Sequence, residues 1–216
     1  QSDATVGLAT RMVRRYAARI TTAFAATAAQ LGEGAVAIGH PVPLSLRAGD
    51  AARAAARFGL EAGVPTVLVL GGSLGAQRLN DAIVAGLPQL VSDTQVIHQT
   101  GIGKLPVGIS HPRYHPVEFL REEFADAYAA ADVVVTRGGM GALSEAASLG
   151  KPAVVVPLPD SPQEANAAEF ARLNAALVLT QPTPDELVGA VRSLLGDADR
   201  RENLARNIRA VLAPEA

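Results

Sequence analysis

The feature that most restricts the fold of this chain is a set of short, almost wholly apolar runs set between helical patterns. Residues 66–70, 95–98, 132–135, 153–156 and 176–179 are each four or five residues long, rich in valine, and mostly closed by glycine, proline or threonine. Continuous rather than alternating hydrophobicity is what a strand buried on both faces requires. A weaker run over 116–120 reads as a further strand. Helical patterns fill most of the gaps, over roughly 75–90, 122–130, 141–149, 163–174, 184–195 and 198–211. Strands alternating with helices imply βαβ units and a parallel sheet. The expected class is therefore α/β, a parallel sheet flanked by helices. The first four helices cross over between strands, and the last two wrap back over the final strand. Ligands of such sheets sit at the carboxyl ends of the strands, so the loops there are where chemistry is expected.

The first 45 residues follow a different pattern. Residues 7–19 read as a helix with Arg11, Arg15 and Arg19 on one stripe, a solvated face rather than a contact for anionic lipid. A second helix over 23–31 leads to a short strand over 35–38. Gly39-His40-Pro41-Val42-Pro43 breaks the pattern, which puts a domain boundary near residue 44. On this reading 1–44 end one domain and 45–216 form another. With 49% hydrophobic and 19% charged residues, the chain can bury a sizeable core and is not disordered. A formal net charge of −2 gives no global field to attract nucleic acid. The absence of cysteine excludes disulfides, thiolate catalysis and cysteine–zinc sites. No apolar run approaches the roughly 18 residues of a transmembrane helix. The first residues resemble no signal peptide, and without an initiator methionine the chain reads as a piece of something longer.

Three loops after strands could carry chemistry. Gly71-Gly72-Ser73-Leu74-Gly75-Ala76 leaves the strongest strand and opens a helix. It reads as a phosphate-binding turn, with Ser73 offering a hydroxyl and free N–H groups favouring an anion, or as a tight turn that binds nothing. Arg137-Gly138-Gly139-Met140-Gly141-Ala142-Leu143-Ser144-Glu145 is the sharper constellation. The amides of Met140, Gly141 and Ala142 could seat a diphosphate, and Glu145, one turn into the helix, could accept from two vicinal ribose hydroxyls. Taken singly, Glu145 also reads as an acid favoured by the helix dipole and Arg137 as a surface ion pair. Asp160-Ser161-Pro162-Gln163-Glu164-Ala165-Asn166 places Gln163 and Asn166 on one helix face. Their amides suit sugar hydroxyls, while the simpler alternative is a helix start capped by Asp160 or Ser161. His40, His98, His111 and His115 lack metal-ligand spacing on one helix, and His98 reads as a satisfied strand-end histidine. Asp197-Ala198-Asp199 formally matches a metal-binding Asp-x-Asp but lies in a polar turn, where a helix cap explains it better.

Together these loops resemble the MurG family of GT-B glycosyltransferases of peptidoglycan synthesis. The family's Gly-Gly-Ser-x-Gly-Ala-x-x-Leu-Asn stands here at 71–80, and His98-Gln99-Thr100-Gly101 matches its His-Gln-Thr/Ser-Gly. Ala131-Asp132 through Arg137-Gly138-Gly139, then Ser144-Glu145, Gly150, Pro152, Pro157, Gln163 and Asn166, follow in the family's order, and Gly7-Leu8-Ala9-Thr10-Arg11 is similar to its Gly-Leu-Thr-Asn-Arg. The resemblance runs from about residue 4 to 210. Leu74, Gln77, Pro43 and Pro162 depart from residues common in the family.

The resemblance implies a Rossmann-like domain, the C-terminal half of a GT-B fold, that binds UDP-N-acetylglucosamine. It implies inverting transfer of the sugar to lipid I, forming lipid II. Glu145 would hold the ribose, Ser73 and the amides near Met140, Gly141 and Ala142 the diphosphate, and the backbone near Leu120 the uracil. Arg137 would lie close to the nucleotide, and Gln163 with Asn166 would read sugar hydroxyls. It implies no metal and no cofactor. The general base, the lipid I acceptor site and the membrane-facing surface would belong to an amino-terminal domain, and no catalytic residue is expected in this chain. The expected location is cytoplasmic, peripheral on the inner face of the bacterial cell membrane. The alternatives are another GT-B UDP-sugar transferase and a non-catalytic nucleotide-sugar-binding subunit.

Overall fold

The largest sheet is the one the valine-rich runs predict. In the computed structural model, which describes residues 1–72 and 76–211, six parallel strands form one sheet. They are β3 (Thr66–Leu70), β4 (Gln95–Gln99), β5 (Tyr114–Val117), β6 (Val133–Thr136), β7 (Ala153–Val155) and β8 (Leu177–Val178). The preceding β1 (Ile20–Thr22) and β2 (Ala35–Ala37) pair in a separate parallel two-stranded sheet. The large sheet runs β5-β4-β3-β6-β7-β8. Every residue of β3, β4, β6 and β7 is buried, as continuous apolar runs require.

Both faces of the sheet are covered. Leu68, Leu70, Ile97, Val134 and Val155 pack on one side against α6 (Phe124–Ala130), α7 (Met140–Leu149), α8 (Pro162–Arg172) and α10 (Ala198–Val211). Val67, Val69, Val96, Val135 and Val154 pack on the other against α4 (Gln77–Ala85), α5 (Leu87–Leu90) and α9 (Pro184–Gly196). The alternation of neighbours along each strand sends Leu68 to one core and Val69 to the other. Each such side chain contributes roughly 1.5–3 kcal/mol by its removal from water. Among the described residues no helix is long and apolar enough to cross a membrane.

Several local expectations are corrected. The helix expected over 75–90 is two helices that meet at Gly86, where a side chain would crowd Val188. Pro88 also lacks the N–H that a continuous helix would use. The weak strand expected over 116–120 begins earlier, with Tyr114 opposite Val96, and leaves the ladder after Val117. The helix expected over 7–19 ends early. After α1 (Leu8–Val13) comes a single 3-10 turn, Arg14–Tyr16, and Ala17 is already extended. The chain straightens there to enter β1, so Arg19 never joins a stripe with Arg11 and Arg15. The second expected helix is α2 (Ala25–Leu31). One helix had no counterpart in the sequence reading: α3 (Ala51–Phe58), capped by Asp50, whose side chain accepts from the amides of Ala52 and Arg53.

Candidate functional site

The strand order reverses between β3 and β6, so the connections that leave their carboxyl ends turn to opposite faces of the sheet. This is the topological switch point of a doubly wound sheet, with strands in the sequential order 3-2-1-4-5-6. β3 runs into Gly71-Gly72 and β6 into Arg137-Gly138-Gly139. Between them opens a cavity of about 320 Å³, lined by Gly72, Arg137, Gly141, Ala142 and Gln163 among others. Ser73 lies outside the described residues.

The floor of this cavity is the start of α7. Gly138 has φ of +84°, and a Cβ on it would stand 3.0 Å from Val155 Cγ1 and 3.3 Å from the Gln163 carbonyl oxygen. Only glycine lets the loop turn this sharply against β7 and α8. Gly139 is the N-cap and has no side chain to cap with, so among the described residues no side chain caps the first-turn N–H groups of Met140, Gly141 and Ala142. The helix dipole adds partial positive charge at the same place. Met140 buries its side chain in the core and can offer only its backbone.

Glu145 faces a different cavity. This second hollow, of about 360 Å³, is lined by Leu46, Arg121, Glu122, Phe124 and Glu145 among others. One helix therefore serves two adjoining spaces, Gly141 and Ala142 lining the first and Glu145, one turn on, lining the second. The phenolic hydroxyl of Tyr128 donates to Glu145 Oε2 at 3.0 Å. Burial raises the Glu145 carboxyl above its ordinary range, and the Tyr128 hydrogen bond pulls the other way. Leu120 lies behind this hollow, its side chain in the core and its N–H donating to Gln99 Oε1 at 2.9 Å. Its successors Arg121 and Glu122 form the wall.

Gln163 lines the first cavity from the start of α8. Ser161 caps that helix by accepting from the Gln163 N–H at 3.3 Å, while Gln163 Oε1 accepts from the Leu158 N–H at 3.1 Å. The Nε2 donors of Gln163 make no hydrogen bond among the described residues. Asn166 is a correction. It is fully buried, with Oδ1 accepting from the Ala4 N–H at 2.8 Å and Nδ2 donating to Asp3 Oδ1 at 2.9 Å and the Gly138 carbonyl at 3.3 Å. An amide has two donor hydrogens, and both are engaged. Asn166 therefore ties the amino-terminal segment to the α7 loop, and it has no free amide hydrogen to offer a sugar hydroxyl.

His98 is fully buried and hydrogen-bonded on both ring nitrogens, to Tyr114 and Asn80, as a satisfied strand-end histidine should be. Asp197 caps α10, accepting from the Arg200 N–H at 2.9 Å. Among the described residues no group of three or more metal-ligating side chains comes together. Sequence reasoning missed Tyr128, Gln99 and the 43–48 wall of the second hollow. Only Gln99 stood in a recognisable motif.

Comparisons with known proteins agree with this geometry. The glycosyltransferase family 28 C-terminal domain matches residues 66–213. A UDP-N-acetylglucosamine–N-acetylmuramyl-(pentapeptide) pyrophosphoryl-undecaprenol N-acetylglucosamine transferase of Lachnospira eligens is 35% identical over 205 residues, covering 91% of this chain and 58% of the relative. The protein of the same description from Paenarthrobacter aurescens is 35% identical over 225 residues, covering 98% and 59%. Among solved structures, Acinetobacter baumannii MurG superposes with a TM-score of 0.74 at 27% identity, over 99% of this chain and 61% of that one. The calicheamicin glycosyltransferase CalG4, at 19% identity and TM-score 0.65, shares the fold.

Proposed function

The chain belongs to glycosyltransferase family 28 through that family's C-terminal domain, and from this premise we propose that it supplies the UDP-N-acetylglucosamine site of an inverting transferase that glycosylates lipid I. The observation that carries the proposal is α7. Its uncapped first turn lines one cavity and its half-buried carboxylate lines the next. That is the order of groups in a nucleoside diphosphate sugar: sugar, diphosphate, ribose, base. Gln163 sits at the sugar end, and Arg121 with the Leu120 backbone at the base end. With the Leu120 N–H held by Gln99, its carbonyl is the group left to meet the uracil N3–H.

In this reading the α7 amides stabilise the negative charge that grows on the departing UDP, a preorganised electrostatic contribution. Ser73 would add a hydroxyl to the same diphosphate, and Arg137 a cationic wall. The chain spans about 58–61% of the length of the relatives named above. We assign the general base, the lipid I site and contact with the inner face of the bacterial membrane to the remainder of that length. Residues 1–44 would end the acceptor-binding domain and 45–216 form the donor domain.

Calorimetry with UDP, UDP-N-acetylglucosamine and ADP, together with a lipid I turnover assay, tests the proposal. The expected result is binding of both uridine nucleotides, weaker binding of ADP, and no turnover by this chain alone. Equal affinity for ADP and UDP would overturn the nucleotide reading. Robust turnover by the chain alone would overturn the division of labour.

A further inference from the structure

We infer that Tyr128 is the positioning residue of the nucleotide site: its hydroxyl fixes one oxygen of Glu145 so that the other is presented to the ribose. The inference rests on the proposed role of Glu145 and assigns a function to a side chain that no motif marks. Tyr128 is fully buried on α6, with its ring edge-on to Phe124 at a centroid distance of 5.2 Å. A buried phenol needs a partner for its hydroxyl, and here the hydroxyl reaches across to α7. It donates to Glu145 Oε2 at 3.0 Å and lies 3.4 Å from the Ala142 carbonyl oxygen. The two residues it touches are one that lines the diphosphate cavity and one that lines the ribose hollow.

Glu145 Oε1 makes no hydrogen bond among the described residues. A carboxylate with one oxygen anchored loses less rotamer freedom when a diol binds than a carboxylate that swings. The phenol also adds a donor to a buried anion without adding charge, which keeps Glu145 an acceptor in a place where burial favours its protonated form. Packing alone would be served equally well by phenylalanine. The hydroxyl is the part that needs the site to explain it.

The test is a double-mutant cycle on the full chain, with UDP and 2′-deoxy-UDP as probes and thermal unfolding as the control. Tyr128→Phe keeps the ring and should lower the melting temperature by only a few degrees, the effect of one lost hydrogen bond. UDP affinity should fall about two- to twelvefold, the range of one hydrogen bond. Affinity for 2′-deoxy-UDP should fall less, so the preference for the ribonucleotide narrows. A hydroxyl that only fills space would not move that ratio. Adding Tyr128→Phe to Glu145→Ala should cost no further affinity, because the phenol acts only through the carboxylate. Wild-type UDP affinity in Tyr128→Phe, or additive losses in the double variant, overturns the positioning role while leaving the Glu145 reading intact. Wild-type affinity in Glu145→Ala overturns the ribose reading itself, and the role of Tyr128 falls with it.

Discussion

His98 should make the stability of this domain depend steeply on pH below neutrality. The Asn80 amide is oriented by its Nδ2, which donates to the Thr100 carbonyl at 2.8 Å, so Oδ1 faces His98 Nε2 at 3.1 Å. Nε2 must then carry the hydrogen, and Nδ1 accepts from the Tyr114 hydroxyl at 2.9 Å. The ring is neutral and fully buried, and desolvation holds its pKa down from an ordinary 6.5 to about 4. Between those values the unfolded chain binds a proton that the native state refuses. Stability is therefore complete above pH 6.5 and declines as the pH falls towards 4. The lowered value corresponds to about 2–3 kcal/mol lost between pH 7.5 and 4.5. Carboxylates add their own slope over the same window, so the comparison must be made against His98→Gln, which cannot titrate. Urea unfolding at the two pH values gives four free energies, and their m-values check that all four unfold alike. The variant should be less stable at pH 7.5 by about 1–3 kcal/mol, since Asn80 and Tyr114 lose a matched partner. Its further loss on going to pH 4.5 should be smaller than the wild type's by about 2–3 kcal/mol. Equal pH dependence in the two proteins would refute the buried neutral ring.

Glu145→Ala should weaken UDP by about 1.5–3 kcal/mol, the range for hydrogen bonds to a charged group, and equal losses for UDP and 2′-deoxy-UDP in calorimetry would show that the carboxylate does not read the 2′-hydroxyl. Burial raises the Glu145 pKa, so the native state binds its proton more tightly than the unfolded chain and stability falls as pH rises through that raised value. Glu145→Gln should accordingly melt at a higher temperature at neutral pH while binding UDP more weakly, and a lower melting temperature would contradict the desolvation argument. Gln163→Ala should bind UDP normally but discriminate less between UDP-N-acetylglucosamine and its C4 epimer, by roughly 1–3 kcal/mol, and an unchanged epimer ratio with weaker UDP would assign Gln163 to the phosphate loop instead. Gly138→Ala should cost about 1–2 kcal/mol for its left-handed backbone alone, with more from crowding Val155, and a melting temperature equal to the wild type's would mean that the loop has another conformation.

The sheet was legible because its signal is collective. β3, β4, β6 and β7 are buried along their whole length, so each carries a continuous apolar centre, with polar residues such as Thr66, Gln95, His98, Gln99 and Thr136 confined to the strand ends. The opening 45 residues were harder. α1 buries no residue, so no apolar stripe fixes its length, and β1 exists only because β2 lies beside it. α3 was missed for a different reason: its alanines supply little hydrophobic signal, although Arg53 and Arg57 stand four apart on one face, Asp50 caps the start and Gly59 closes the end in the left-handed conformation. At the site, the glycines announced themselves because backbone geometry is encoded residue by residue. Asn166 did not, since its partners Ala4 and Asp3 lie 162 and 163 positions away and only the folded chain brings them near. Tyr128 was missed on the same ground. It lies seventeen positions and a whole strand before Glu145, and its hydroxyl acquires meaning only through the packing of α6 on α7.

The placement of Glu145 one turn inside α7, rather than at its first residues, follows from what the helix start must do. A carboxylate in the first turn would cap the free amides itself and occupy the place where an anion is to bind. It would also set a negative charge directly against a diphosphate. Three residues beyond Ala142, the carboxylate is displaced about 4.5 Å along the axis yet stays on the same face, because positions three and four apart are neighbours on a helix. The amides are thus left to the diphosphate, and the carboxylate meets the next group along the ligand. The cost is that a negative charge is half-buried and, among the described residues, forms no ion pair, and that burial drives its pKa up. A lysine or arginine partner would relieve that cost but would compete with the ribose hydroxyls for the same oxygens. A neutral donor with a single hydrogen satisfies one oxygen and leaves the other, and Tyr128 is that donor.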